Sequence, residues 1–385
     1  MSEKFLPFCK PSIDQETINE VVECLKSGWL ATGPRVQKFS EMLKKYLDAP
    51  HALPLSSGTA GLHLALLGFN LQPEDEVILP ALTFVASANT IVMAGGKPVF
   101  IDIDLGSRNI DVNKIEAAIT PKTRAIMPVH FAGLSVDLDP IYAIAKKHNL
   151  RVLEDAAQAI GTTYKNKRIG GFGDTQIFSF HPNKNMTTGE GGCVTTSDAK
   201  LAKDVSIRRF HGIDRDAWNR FSKEGKQHYD VVEVGFKYNM MDIQAALGIH
   251  QLPKLDNFIN RRTELAKRYL EILADWPEWQ LPEKANFENK HAWHLFTPLI
   301  NPKIANITRD NFIDEMKTCN IGVGFHYDAT HLFDYYRRNY GYKPGDFPVA
   351  EDVTQLIVSL PLFPDMTDAE QDRVISAMKK VFKKG

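Results

Sequence analysis

The stretch QIFSFHPNKNMTTGEGGCVTT, residues 176–196, decides how this chain is read. Residues 177–180 are apolar and are expected to form a short strand. Pro182 breaks it, and a polar loop then presents one lysine, Lys184. A glycine-rich turn at 187–192 leads into a second expected strand, 193–196. A lysine held just past the end of a buried strand loses its proton more readily than one in water and is able to form a Schiff base with a carbonyl. The same residue also fits a solvated loop, the usual place for lysine. What the rest of the chain puts around it decides between the two.

The chain has 385 residues, more than one ordinary core organises, so two domains are expected. Basic and acidic side chains number 46 and 47, a formal net charge of -1, so no bulk charge draws the chain to nucleic acid or to an anionic membrane. Cys9, Cys24, Cys193 and Cys319 lie far apart with no CxxC pair, which argues against a zinc site and fits a reducing compartment. The N-terminal residues show no apolar run behind a basic segment, and no run of about 18 apolar residues occurs anywhere. Neither a signal peptide nor a membrane span is expected, and the cytoplasm is the expected location.

Residues 1–12 read as an extended arm. Apolar spacing predicts helices over 13–27 and 36–47. The turn Ser56-Ser57-Gly58-Thr59 then opens an apolar helix. Free amides at such a helix start, with Gly58 allowing close approach, suit a phosphate; the same residues also make a plain N-cap. A regular alternation follows, with strands expected at 77–79, 98–102, 125–129 and 151–155. Helices are expected at 83–93, 112–119 and 139–148. Strands spaced by such helices imply an α/β fold with a mostly parallel sheet sandwiched by helices. Ligands of such sheets sit beyond the carboxyl ends of the strands. Residues 56–59, Phe84, His130, Asp155 and Lys184 all fall after expected strands or at helix starts, and therefore at one edge. Residues 207–229 form a long polar excursion, and 252–276 a long charged helix between domains. Beyond it come a strand-like run at 294–300, a helix at 309–319 and a final helix at 368–382. The expected division is a large domain over 13–250 and a smaller α+β domain over 251–385.

A pyridoxal phosphate site needs a lysine, a carboxylate for the pyridinium proton, a helix start for the phosphate and an aromatic face for the ring. This chain supplies a candidate for each. Asp155 ends an apolar strand, where a carboxylate is costly unless it meets a cation such as a pyridinium; capping the next turn is the other use for it. Gln158 follows closely enough to donate to the ring hydroxyl. Ser57, Gly58, Thr59 and Ser179 are candidates for the phosphate. Phe84 is a candidate for stacking on the ring, though phenylalanine is more often core.

Taken together, GWLATGPRVQKFS (28–40), LSSGTAGLHLAL (55–66), PALTFVASANTI (80–91), GGKPVFIDID (95–104), LEDAAQAIG (153–161), FSFHPNKNMTTGEGG (178–192), GFKYNMMDIQAALG (235–248), GVGFHY (322–327) with THL (330–332), and SLPLFPDMTD (359–368) resemble the DegT/DnrJ/EryC1/StrS family, the fold-type-I sugar aminotransferases that use pyridoxal phosphate. The resemblance spans nearly the whole chain. It implies that Lys184 is the Schiff-base lysine and proton shuttle, and that Asp155 pairs with the ring nitrogen. It further implies that Gln158 meets the ring hydroxyl, that Gly58, Thr59 and Ser179 bind phosphate, and that Phe84 packs on the ring. By the same resemblance Asn239 reaches the phosphate from a second subunit, so a homodimer with shared active sites is expected, and Lys237 belongs to that interface.

The resemblance also implies that L-glutamate gives its amino group, passing through pyridoxamine phosphate, to a nucleotide-linked keto-sugar. Lys237-Tyr238-Asn239 and the segment RRFHGIDRDAWNRF (208–221) resemble members acting on 4-keto nucleotide sugars, UDP- or dTDP-linked, in surface polysaccharide or antibiotic sugar synthesis. Family dehydratases carry histidine in place of the lysine, and Lys184 favours transamination. A cyclitol ketone as substrate, a dehydratase reaction and a non-catalytic regulator stay open as alternatives. Candidate sugar contacts are His326, Tyr327 and His331; Arg208, His211 and Arg215 are candidates for a nucleotide diphosphate, because guanidinium pairs well with phosphate. Histidine in such a context also serves structure, and the arginines also suit a solvated loop.

Overall fold

The computed structural model describes residues 4–214 and 229–383. Seven strands form the central sheet: β1 (His51–Leu55), β2 (Glu76–Pro80), β3 (Lys97–Ile101), β4 (Thr123–Ile126), β5 (Arg151–Asp155), β6 (Thr175–Ser179) and β7 (Gly192–Thr196). Their spatial order is β1-β7-β6-β5-β4-β2-β3. Pairing is parallel from β6 through β5, β4 and β2 to β3, and antiparallel on both sides of β7. Thus β7 alone runs against the other six. The connection between β6 and β7 is therefore a return at one edge rather than a crossover, and it leaves the Lys184 loop at the carboxyl ends of the parallel strands.

Alternation along the strands splits the apolar residues between two faces. Ile78, Ile126, Val152 and Phe178 enter one core with helices α2 (Pro34–Leu47), α5 (Val112–Ile115), α6 (Leu138–His148) and α8 (Asp242–Gln251), and α1 (Gln15–Lys26) packs on α8. Val77, Ala125, Leu153 and Ile177 enter the other with α3 (Gly58–Gly68), α4 (Val85–Met93) and α7 (Ala199–Arg208). A third core joins the later turns of α9 (Leu255–Leu273) to Phe312, Met316, Val374 and Met378, with Leu6 of the N-terminal arm packed into it. The arm is tied down there by Leu6 N–H to the Asn320 carbonyl and Gly322 N–H to the Leu6 carbonyl. The four cysteines are free thiols. Among the described residues, no helix is long and apolar enough to cross a membrane.

Three expectations need correction. The run 294–300 forms a ladder only at Leu299–Ile300, against Trp279–Gln280; Pro298 removes a backbone donor in its middle. The helix expected from residue 252 begins with a 3-10 turn at Leu252–Lys254, where Pro253 sits, before α9. The expected helix 112–119 is one α-turn at Val112–Ile115 followed by a 3-10 turn at Glu116–Ala118.

Candidate active site

Beyond the carboxyl ends of the strands lies a cavity of about 420 Å³. Its wall includes Ser57, Gly58, Thr59, Phe84, Asp155, Gln158, Ser179, Lys184, His326 and Tyr327. The structure thus brings ten of the residues singled out from sequence into one place.

The helix end is built by a close backbone approach. Ser57 is the N-cap of α3, and its side chain accepts from Ala60 N–H at 3.1 Å. That leaves the first amides of the helix without intrahelical acceptors, at the positive end of the dipole. Gly192 lies opposite both Leu55 and Ser179 in the ladders. A Cβ there would stand 2.4 Å from the Ser57 carbonyl carbon and 2.5 Å from Gly58 N. Only glycine lets the start of α3 sit against the sheet, which is the physical use of the GEGG run.

Asp155 ends β5 and is 5% exposed. Ser87 Oγ donates to its Oδ2 at 2.7 Å, and Ala157 N–H donates to its Oδ1 at 3.1 Å. The Thr83 hydroxyl lies 2.8 Å from Ser87 Oγ and supports it. No lysine or arginine is ion-paired with Asp155 among the described residues, so a buried carboxylate faces the cavity uncompensated by a bonded cation. Gln158 is fixed by its neighbours: Ala132 N–H donates to Oε1 at 2.7 Å, and Nε2 donates to Tyr327 Oη at 3.1 Å. Phe84 is 54% exposed, tilted against Tyr327 with centroids 5.7 Å apart. An aromatic ring this exposed on a cavity wall is available to cover a planar ligand.

The loop bearing Lys184 is pinned at several points. Phe180 N–H bonds the Gly191 carbonyl, Thr188 N–H bonds the Phe180 carbonyl, and Lys184 N–H closes a turn onto His181. Asn185 Nδ2 donates to the Ala292 carbonyl at 2.7 Å. Burial lowers the Lys184 ammonium to a pKa of about 8, with the Asp155 carboxylate acting in the opposite direction. Burial, reinforced by the Lys184 charge, lowers His326 to about 4. Its Nδ1 lies 2.8 Å from Ser359 Oγ. Burial raises the Tyr327 hydroxyl.

Other candidates lie elsewhere in the single chain. His331 does not reach the cavity: it is fully buried, 3.1 Å from Glu351 and packed on Phe347. His130, at the expected edge, is also buried; its Nδ1 accepts from Val136 N–H, which leaves Nε2–H for Glu154 at 2.9 Å. Arg208 pairs with Glu233, His211 packs on Phe210, and Lys237 lies over the Phe210 ring at 4.4 Å. Asn239 donates to Thr32 Oγ1 at 2.5 Å, outside the cavity lining. Arg215 lies outside the described residues. Sequence reasoning missed Thr83, Ser87, His181, Asn183 and Glu190. For His181, Asn183 and Glu190 the signal was present, since they flank Lys184 in the opening stretch.

The donor set fits pyridoxal phosphate: an amine of lowered proton affinity, a buried carboxylate in need of a cation, and a helix start. Comparison with known proteins agrees. The profile of the DegT/DnrJ/EryC1/StrS aminotransferase family matches residues 11–379. The chain is 46% identical over 380 residues to the spore coat polysaccharide biosynthesis protein SpsC of Bacillus subtilis, covering 98% of this chain and 97% of that one. It is 42% identical over 385 residues to the UDP-4-amino-4-deoxy-L-arabinose--oxoglutarate aminotransferase of Shewanella sediminis, covering 99% of each. It superposes on a putative sugar aminotransferase of Streptococcus pneumoniae in its PMP form with TM-score 0.90 at 31% identity, covering 98% of this chain and 99% of that one. The same pneumococcal protein is also solved in a PLP form. The cofactor is therefore pyridoxal phosphate, with pyridoxamine phosphate as its second form. Matched by the family profile over residues 11–379 and by relatives and solved structures over nearly its full length, this sugar aminotransferase belongs to the DegT/DnrJ/EryC1/StrS aminotransferase family.

Proposed function

We propose that the chain moves the amino group of L-glutamate to the keto group of a 4-keto sugar carried on UDP or dTDP, in the assembly of surface polysaccharide or a related amino sugar. The observation that carries the chemistry is one cavity lined by Lys184, by Asp155, which has no ion-paired lysine or arginine among the described residues, and by the start of α3. The sugar class rests on the activity for which the Shewanella relative is named and on the polysaccharide role in the name of the Bacillus one.

In this reading the α3 amides, with Ser57, Gly58, Thr59 and Ser179, take the cofactor phosphate. Asp155, oriented by Ser87, holds the proton of the ring nitrogen. Gln158 donates to the ring hydroxyl, and Phe84 covers one ring face. Bound pyridoxal phosphate supplies a conjugated ring that draws electrons from the substrate carbon. Lys184 moves the proton: an amine titrating at about 8 is able both to take a proton from the α-carbon of glutamate and to return one. His326 and Tyr327, on the same wall, border the space left for the sugar. Asn239 reaches the phosphate of a second subunit in a homodimer, with Lys237 beside it. Support for this comes from the exposed apolar residues Val231, Val232, Val234 and Met241 in the same segment of chain.

The test is turnover with L-glutamate and a panel of UDP- and dTDP-linked 4-keto and 3-keto sugars, followed by 2-oxoglutarate release and product mass. Amination of a 4-keto pentose or 4-keto-6-deoxy sugar nucleotide is expected. Turnover of only 3-keto sugars or free keto-cyclitols would overturn the substrate assignment.

A further inference from the structure

The loops that leave β3, β4 and β5 are joined behind the cavity wall by one chain of hydrogen bonds. Asn109, 3% exposed, lies between β3 and α5. In the loop after β4, Phe131 N–H donates to Asn109 Oδ1 at 2.9 Å and is shared with the Val129 carbonyl at 3.0 Å. Asn109 Nδ2 donates to the carbonyls of Ser135 and Leu134 at 3.3 and 3.5 Å. The next amide of that loop, Ala132 N–H, donates to Gln158 Oε1 at 2.7 Å, and Gln158 Nε2 donates to Tyr327 Oη at 3.1 Å. Gln158 and Tyr327 line the cavity, whereas Asn109 stands behind them.

The Ala132 amide decides what Gln158 is able to do. A backbone N–H only donates, so the end of the side chain that meets it is the oxygen. The nitrogen is thereby left at the Tyr327 end, with two hydrogens of which Tyr327 takes one. The turn that delivers the amide is not one the chain adopts freely. Ala132 has φ 56° and Gly133 has φ 89°. A left-handed backbone at a residue with a side chain is disfavoured and persists only where its surroundings hold it. Three bonds hold its carbonyls: Thr162 Oγ1 and Ala292 N–H donate to Gly133, and Leu295 N–H donates to Ala132. Asn109 grips the turn from both ends, by the amide of the residue before Ala132 and by the carbonyls after Gly133.

We propose that Asn109 is a positioning residue for the cofactor ring: by clamping the 131–135 turn it holds the Ala132 amide on Gln158 Oε1, and so keeps Gln158 Nε2 on the cavity side as the donor to the ring hydroxyl. The proposal rests on the reading that Gln158 meets that hydroxyl. Without the clamp the Gln158 amide is free to turn, and the hydroxyl loses a directed donor.

The experiment compares two cofactors in binding to full-length protein freed of its own: pyridoxal phosphate, and 3-deoxypyridoxal phosphate, which lacks the ring hydroxyl. Affinities are read by equilibrium dialysis, without turnover. Asn109→Ala is expected to lose about tenfold in affinity for pyridoxal phosphate, the order set by one hydrogen bond, and to stay within about twofold of wild type for the 3-deoxy compound. In a Gln158→Ala background the same substitution is expected to change neither affinity by more than about twofold, because the two residues act through one contact. A folded Asn109→Ala protein with wild-type affinity for pyridoxal phosphate, or with equal losses for both compounds, would overturn the proposal; equal losses are what a merely structural role produces. Should that variant not fold, Asn109→Asp takes its place, since it keeps the size and the acceptor for Phe131 but not the donor to Leu134 and Ser135; the same two results support or overturn. Gln158→Ala alone separates the proposal from the reading beneath it. If that variant loses affinity only for pyridoxal phosphate while Asn109→Ala does not, the clamp is wrong and the role of Gln158 stands; if it loses both equally, the role of Gln158 fails and the proposal with it.

Discussion

Ser87 Oγ donates to Asp155 Oδ2 at 2.7 Å, one turn into α4 and across the sheet edge from the strand that ends in the carboxylate. Both residues are buried. A hydrogen bond to a charged acceptor is worth about 1.5–3 kcal/mol. Ser87→Ala is expected to leave Asp155 free to turn away from the ring nitrogen and to weaken pyridoxal phosphate binding by about tenfold or more. Cofactor affinity, measured by titrating the apo-protein and following its visible band, checks this; wild-type affinity would contradict it.

Gly192→Ala tests the close approach of α3. The added methyl meets backbone of Ser57 and Gly58 rather than a flexible side chain, so the helix start has to move. Overpacking of this kind costs about 1–3 kcal/mol. The expected result is a lower unfolding temperature together with a loss of affinity for inorganic phosphate and for cofactor. Gly95→Ala makes a useful control: its Cβ meets nothing within 4 Å, although its φ of 89° brings some backbone strain. It is expected to lose stability without losing phosphate affinity.

Lys184 links stability to pH. Its pKa in the fold, about 8, lies below the ordinary lysine value. Between the two values the unfolded chain binds more protons, so stability rises with pH across that window and the cost of burying the ammonium is full below about 8. In apo-protein, Lys184→Met is expected to be more stable than wild type at pH 6, by roughly 3 kcal/mol, with the difference shrinking toward pH 10. Urea melts at several pH values measure it; a difference that does not change with pH would rule out the lowered proton affinity.

His331 and His326 sit five residues apart but are expected to behave differently. His326 borders the cavity, whereas His331 is buried against Glu351 and Phe347. His331→Ala is expected to cost about 2–3 kcal/mol of stability through lost packing and a lost polar partner, with kcat/KM within about threefold of wild type. A loss of activity in folded protein far beyond that would place His331 in the site after all.

That contrast shows what the sequence could and could not reveal. Strand ends and helix starts were legible, because apolar runs alternate with helical spacing and a parallel sheet gathers carboxyl ends at one edge. Residues 56–59, Phe84, Asp155 and Lys184 followed from that rule, and so did His130, which the fold buries against Glu154 outside the cavity lining. Ser87 was not legible, since nothing local marks which serine of a helix faces a carboxylate 68 residues away. Nor was His331, because a single turn after Tyr327 decides whether it faces the cavity or the core. Strands of two residues, Thr163–Tyr164, Lys167–Arg168 and Asn289–Lys290, are too short for alternation to register. β1 was also missed, a short strand with Pro54 inside it. Asn239 came only from family resemblance, and its own chain keeps it away from the cavity.

The central claim is that Lys184 performs the proton transfer that takes nitrogen from an amino acid. The most direct measurement is the half-reaction: protein loaded with pyridoxal phosphate is mixed with L-glutamate and no sugar, and released 2-oxoglutarate is counted per chain. Wild type is expected to release about one equivalent and stop, in keeping with a cofactor that carries one amino group, while Lys184→Ala, loaded with the same cofactor, releases none on that timescale. Release by Lys184→Ala at the wild-type rate, or no release by wild type, would contradict the account.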